Sequence, residues 1–245
     1  MNLLIDIGNT NITVGTFVDG NYSLEKPIKT KNFKEENFPK KLLNLIADAK
    51  FIGVSSVVPR VNEKLRNFLP QEKTFYINHS NFKSLIDIDY ETPDTLGADR
   101  IVNCFATKIL YGFPSIVVDI GSAITIDLIN SKGIFIGGVI FAGPITISEA
   151  LSQKAEKLFK INISEITQLD TGKSSKMCLE MGIYFSTLYA IKGFVENYRK
   201  ILGKNSKLIL TGGISHHFKD HLPEFKYEKL LTLKGINLAI EKWAR

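Results

Sequence analysis

Asp6-Ile7-Gly8-Asn9-Thr10-Asn11 gathers a carboxylate, a glycine and three polar donors at what reads as the end of an apolar strand. A carboxylate there points into the crevice where open α/β sheets bind ligands. It can hold a hydrated divalent cation without a full cage of protein ligands. Gly8 lets the backbone turn and approach a bulky anion. The N–H groups and side chains of Asn9, Thr10 and Asn11 can donate to phosphate oxygens from a tight turn. The same residues also suit an ordinary strand-to-hairpin corner. The pattern returns, however, as Asp119-Ile120-Gly121-Ser122-Ala123. Two anion-cradling turns suit phosphoryl transfer, which is mostly positioning and charge neutralisation.

Two further segments have chemical potential. Leu208-Ile209-Leu210-Thr211-Gly212-Gly213-Ile214 is an apolar strand ending in glycines, against which a flat ring such as adenine could lie. A plain strand-turn reads equally well. Tyr90-Glu91-Thr92-Pro93-Asp94-Thr95-Leu96-Gly97-Ala98-Asp99-Arg100 places a turn before a helix, with Asp99 and Arg100 in its first turn. An acid there is stabilised by the helix dipole. Within reach of a hydroxyl it could also accept a proton, while the neighbouring guanidinium holds an acidic substrate. The Walker pattern G-x-x-x-x-G-K-[ST] does not occur.

The elements that must position these residues follow from periodicity and punctuation. Asn2–Ile7 predicts a buried strand, and 11–18 and 22–28 a hairpin turning at Asp19-Gly20-Asn21. Helical spacing runs over 38–49, a strand over 51–58, a helix through Leu65 and Phe68, and a strand over 74–77. A helix over 97–110 puts Ile101, Val102, Phe105, Ile109 and Leu110 on one face and stops at Tyr111-Gly112-Phe113-Pro114. A second round begins with a strand at 115–120 and a hairpin of 123–130 with 134–141. Helices at 145–157 and 174–201, a strand at 207–211 and a last helix at 236–243 complete it. Leu3-Leu4-Ile5-Asp6-Ile7-Gly8 matches Ile116-Val117-Val118-Asp119-Ile120-Gly121, each followed by a hairpin. The expected fold is α/β, with two duplicated halves, 1–112 and 113–245, facing a central nucleotide cleft.

Composition narrows the class. Of 245 residues, 44% are hydrophobic and 23% charged, enough apolar material for a core without staples. No apolar run approaches the length of a membrane span, and Asp6 comes too early for a secretory leader. Cys104 and Cys178 form no CxxC pair, which points to a reducing compartment and a cytoplasmic protein. The net charge of +6 is spread along the chain without a nucleic-acid motif, so it reads as a field favouring anionic ligands. His216, His217 and His221 include an i,i+4 pair, but no carboxylate or cysteine completes a zinc set. Cys104 reads as a small core residue, and Phe185, Tyr189 and Phe194 as core or dimer contacts.

In the order motif, motif, Gly-Gly, the chain resembles the actin, Hsp70 and sugar-kinase superfamily, with its actin-like (ribonuclease H-like) halves. Over nearly its whole length it is similar to type III pantothenate kinases. That resemblance rests on Asp6-Ile7-Gly8-Asn9-Thr10, on Tyr90 with Gly97-Ala98-Asp99-Arg100, and on Asp119-Ile120-Gly121-Ser122. It continues through Gly137-Gly138, Gly172-Lys173-Ser174-Ser175 and Thr211-Gly212-Gly213. The Gly-Ala-Asp-Arg element is its most specific part. The resemblance implies transfer of the ATP γ-phosphate to pantothenate, the first committed step to coenzyme A. It implies Asp6, Ile7, Gly8, Asn9, Thr10, Asn11, Ile12, Thr13 and Ser122 at ATP, with Asp6 holding Mg2+ through water. Asp99 would be the proton acceptor, and Tyr90, Gly97, Ala98, Arg100 and Ser175 would surround pantothenate. Asp119 would bind a monovalent cation, K+ or NH4+. It implies a homodimer with ATP and pantothenate as its ligands; the spread charge and short apolar runs point to neither nucleic acid nor membrane as partner. Ser122 and Ser175 stand where the family has Thr, and Ile124 where it has a hydroxyl residue. The competing readings are a small-metabolite kinase with another substrate and a nucleotide-binding regulatory protein without turnover.

Overall fold

The computed structural model describes residues 1–33, 40–163, 166 and 168–244. The chain divides into two compact units, Met1–Leu110 with Leu230–Arg245, and Tyr111–Lys229.

The first unit is built on β1 (Asn2–Ile7), which pairs antiparallel with β2 (Asn11–Val18). β2 pairs in turn with β3 (Asn21–Leu24) and β4 (Ile28–Lys29). The β2–β3 connection is a two-residue loop with Asp19 at φ 46° and Gly20 at φ 86°. Two consecutive left-handed residues match the twist of a hairpin, which is why Asp-Gly serves there. The single strand expected over 22–28 is two pieces, because Pro27 cannot donate to the ladder. α1 (Lys40–Asp48) follows; the first two residues of the helix expected over 38–49 lie outside the described residues. β5 (Phe51–Ser56) runs parallel to β1 and to β6 (Thr74–Tyr76), linked by α2 (Pro59–Phe68). α3 (His79–Phe82) and α4 (Ala98–Leu110) close this stretch.

α4 departs from the expected amphipathic pattern. Residues 100–107 are all buried, including Arg100, Asn103 and Thr107, whereas Ile109 and Leu110 are exposed. Cys104 is fully buried and in no disulfide, in keeping with a small core residue. Phe82 of α3 meets the Phe105 ring edge-on at 5.4 Å.

The second unit repeats the plan. β7 (Ser115–Ile120) pairs antiparallel with β8 (Ala123–Ile129), which pairs with β9 (Phe135–Ala142). α5 (Pro144–Lys154) and α6 (Ser175–Leu202) follow, then β10 (Lys207–Thr211), parallel to β7, and β11 (Lys226–Tyr227), parallel to β10. The sheet orders are β3-β2-β1-β5-β6 and β9-β8-β7-β10-β11. Position by position the two agree, in strand direction as well as order, so the duplication read from one repeated strand holds for both sheets.

The chain then returns to the first unit. α7 (Leu231–Trp243) packs on α4, β1 and β5, so it leaves the half 113–245 to which the sequence assigned it. It also begins five residues before the expected 236, because Gly235 is not a breaker here. A Cβ at Gly235 would stand 2.6 Å from the Val102 carbonyl oxygen, so its absence lets α7 approach α4. Trp243 then closes on Phe82, edge-on at 5.3 Å.

Candidate active site

In the first unit, register sets Ile7 opposite Ile12 and leaves residues 8–11 as the turn. The Gly8 N–H donates to the Asn11 carbonyl at 3.0 Å. Thr30, fully buried, braces this turn from behind: its N–H donates to the Thr10 carbonyl at 3.0 Å and its hydroxyl to the Gly8 carbonyl at 2.7 Å. Both carbonyls are satisfied from within the fold, which biases the turn toward donors for an incoming anion. Asn9 and Thr10 are exposed, and Asp6, Asn11 and Thr13 are half-buried. The side chains of Ile7 and Ile12 lie in the core, so only their backbone could meet a ligand.

Asp99 sits in the first turn of α4, where Gly97 caps the helix by accepting from the Ile101 N–H at 3.2 Å. The Arg100 N–H donates to Asp99 Oδ1 at 2.8 Å. Burial pushes the Asp99 carboxyl above the ordinary carboxylate range; the Arg100 N–H and guanidinium pull the other way without cancelling it. Arg100 itself is buried, its guanidinium carbon 5.9 Å from the Tyr90 ring centre. Val57 joins this group to the phosphate turn. Its N–H donates to the Ile7 carbonyl at 3.1 Å, and its side chain lies 3.4 Å from where a Gly97 Cβ would be.

Beside Gly97 and Ala98 opens a cavity of about 360 Å3, with Asn62, Arg66, Tyr76 and His79 also in its lining. The volume is that of a small-molecule pocket. The Tyr76 hydroxyl and Asn62 Oδ1 are buried without hydrogen-bond partners. His79 Nδ1 lies 3.4 Å from Asp94 Oδ1, an ion-pair distance that is not aligned as a hydrogen bond.

A Cβ at Gly97 would stand 2.5 Å from Asp99 Oδ1. Gly97→Ala is therefore expected to push the carboxylate out of place and lower kcat by about 10²-fold, with little change in the melting temperature. Steady-state kinetics with a thermal melt checks this; an unimpaired kcat would mean that the Asp99 position does not matter.

In the second unit, Ile120 faces Ile124 and the turn is residues 121–123, one residue shorter than its counterpart. Asp119 occupies the register position of Asp6, one residue before the strand end, opposite Thr125 as Asp6 is opposite Thr13. The Ser122 carbonyl accepts from the Gly143 N–H at 2.9 Å and the Thr146 hydroxyl at 2.6 Å, which ties the turn to the start of α5. Gly143 is indispensable in this contact, since its Cβ would overlap the Gly121 carbonyl oxygen. Gly212, at φ +105°, lies where a Cβ would overlap Asp119 Oδ1 and the Ile120 N–H. The glycine turn and the second carboxylate are thus one packed unit. Short 3-10 turns follow it at Ser215–His217 and Lys219–His221. Ser175 is exposed at the start of α6, where Ser174 caps the helix through the Met177 N–H at 3.2 Å.

Among the described residues, no three or more Asp, Glu, His or Cys side chains cluster as a metal cage. A cation at Asp6 or Asp119 would take most of its oxygens from nucleotide and water. Carboxylate, carbonyl and hydroxyl groups are the donors on hand, and they suit hard cations such as Mg2+ or K+.

The sequence profile of type III pantothenate kinase matches residues 2–197. The chain belongs to that family. A type III pantothenate kinase of Endomicrobium trichonymphae is 34% identical, covering 99% of each chain, and one of Desulforapulum autotrophicum is 32% identical, covering 99% of this chain and 97% of that one. Among solved structures, a conserved Baf-family protein from Campylobacter jejuni, described as a candidate transcriptional activator, superposes with a TM-score of 0.66 at 25% identity, covering 99% of this chain and 98% of the other. The fold of the family member described here is the duplicated actin-like one.

Thr30, Val57, Gly143 and Thr146 carry no sequence signal of their part in the site. Each acts by bracing a turn that lies far from it in sequence, and no local pattern announces that.

Proposed function

We propose that this chain transfers the γ-phosphate of ATP to the hydroxyl of pantothenate, giving ADP and 4′-phosphopantothenate on the way to coenzyme A. The observation that carries the reading is Asp99: a half-buried carboxylate with raised proton affinity, fixed by the Arg100 N–H beside a cavity, and linked through Val57 to a donor-rich turn.

The substrate hydroxyl sits against Asp99 and gives up its proton to it as the oxygen attacks the γ-phosphorus. The bond from that phosphorus to the bridging oxygen breaks, and ADP leaves with the electron pair. A raised proton affinity makes the carboxylate a better base at this moment. Asn9, Thr10 and Asn11 position the phosphates, and Asp6 would hold Mg2+ through water. The metal supplies charge neutralisation on the phosphate oxygens. Ser122 contributes to the nucleotide from the second turn. Tyr90, Gly97, Ala98 and Ser175 surround pantothenate with Arg100, whose burial beside Tyr90 suits a fixed rather than a mobile cation. The polar atoms without partners in the adjoining cavity fit a ligand that brings its own donors and acceptors.

Asp119 is assigned to a monovalent cation. A carboxylate facing phosphates repels them, and a cation beside Asp119 would offset that repulsion. Replacing potassium by a bulky organic cation at constant ionic strength is expected to weaken apparent ATP affinity, and Asp119→Asn to blunt the difference. Equal activity in both salts would remove the cation from the account.

The protein is assigned to the cytoplasm, in keeping with its two free cysteines and with described helices that are not long and apolar enough to cross a membrane. A homodimer is favoured by apolar side chains left outside the second unit: Tyr189 is 54% and Ile201 69% exposed on α6, and Ile140 58% on β9.

A regulatory protein without turnover is the second reading, favoured by the description of the Campylobacter relative. ADP release measured with pantothenate, with sugars and with no acceptor separates the readings. Release that requires pantothenate supports the kinase; none with any acceptor leaves the regulatory reading, and release with a sugar instead names a different substrate.

A further inference from the structure

The second unit holds another cavity, of about 490 Å3, that none of this chemistry uses. Its lining includes Arg199 at the end of α6, Lys204 just after it, Lys207 at the start of β10, and Lys226 of β11. Glu224 is the one carboxylate among its lining residues, so four cations face it. Tyr111 also lines it, but the Tyr111 hydroxyl is committed to Glu228 Oε2 at 2.8 Å. Arg199 Nε is buried and has no hydrogen-bond partner. A buried guanidinium N–H without an acceptor costs on the order of 1–3 kcal/mol, and more where charge is involved. Scattered surface lysines relax into solvent; here they rim a concavity around an arginine whose donors are not all met.

We infer that this cavity binds a small phosphate-bearing anion, separately from the ATP site. A phosphate or pyrophosphate group offers several acceptors with at least two negative charges, the complement of an arginine flanked by lysines. A concave site of this size fits a small molecule rather than a polymer lying along a surface. The position is distinct from the nucleotide motif in the same unit. Lys207 begins β10 and Thr211, which leads into Gly212, ends it, so the two lie about 13 Å apart along the strand. This goes beyond the kinase reading and can fail without it.

The test is calorimetric titration of the full chain with inorganic pyrophosphate, in metal-free buffer at fixed ionic strength, with ADP as a second arm. Saturable binding is expected, weakened about tenfold in Lys204→Gln/Lys226→Gln, while pantothenate-dependent ADP formation is unchanged. Both lysines are exposed, so the double variant keeps its fold. Arg199→Gln, which leaves the lysines in place, is expected to weaken binding in the same way. Weakening confined to pyrophosphate marks free phosphate as the ligand source; weakening of ADP as well marks a nucleotide. Unchanged affinity in these variants would put the anion on the phosphate turns and overturn the proposal, as would absence of saturable binding to the parent.

Discussion

Replacing Asp99 with asparagine is expected to lower kcat by about 10²–10⁴-fold while leaving the fold at least as stable as the parent. Asparagine keeps the shape and can still accept from the Arg100 N–H, but it cannot take the substrate proton. The stability half of the expectation follows from the raised proton affinity. Between the unfolded and folded values the native state binds more protons than the unfolded one, so this group's contribution falls as pH rises. Near neutrality the ionised, desolvated Asp99 is therefore a liability that asparagine removes. Thermal melts should give Asp99→Asn an advantage at neutral pH that shrinks on acidification. The parent's kcat/KM should fall on the acid side at a pH above the usual carboxylate range, and the residual activity of the variant should lack that limb. Near-normal turnover in Asp99→Asn would remove it from the mechanism. Full loss of turnover together with a collapsed melting temperature would make its role structural.

Asp6→Ala is expected to abolish turnover, with residual activity below about one part in 10³. Asp6 is half-buried at the end of a strand whose apolar side chains, Leu3, Leu4, Ile5 and Ile7, are all in the core. Packing of β1 rests on those residues, so the variant should fold. What it loses is the carboxylate that would anchor hydrated Mg2+ beside the phosphates. Raising the magnesium concentration should restore little, because the anchor sets the position of the charge as well as its presence. Normal turnover at ordinary magnesium would mean that the repeated strand-turn is a structural corner alone.

The two expectations draw on parts of the sequence with different legibility. The strand-Asp-Ile-Gly-hairpin unit could be read because it is local and occurs twice, and the second sheet repeats the five-strand path of the first, β4 aside. Gly97-Ala98-Asp99-Arg100 could be read because turn, cap and acid are contiguous. What escaped depends on contacts distant in sequence. Thr30 braces the first turn from 20 or more positions away, and Gly143 and Thr146 brace the second from the start of α5. α7 looked like part of the second half because it follows it in the chain. Its packing on α4 depends on a close approach at Gly235, which a periodicity reading treats as a break. Ile109 and Leu110 fit the apolar stripe of α4, yet they are exposed at its end, just before the chain passes into the second unit. The line between Ile7, Val57 and Gly97 needed a parallel strand pairing to exist at all.

The most direct measurement follows the phosphate itself. The protein is incubated with ATP labelled at the γ-phosphate, magnesium, potassium and pantothenate, and the labelled products are separated. Label is expected in a pantothenate phosphate monoester, in step with ADP, formed about 10²–10⁴-fold more slowly in Asp99→Asn and at below about one part in 10³ in Asp6→Ala. Label that appears only as inorganic phosphate, or that enters another acceptor while pantothenate remains unlabelled, would contradict that expectation.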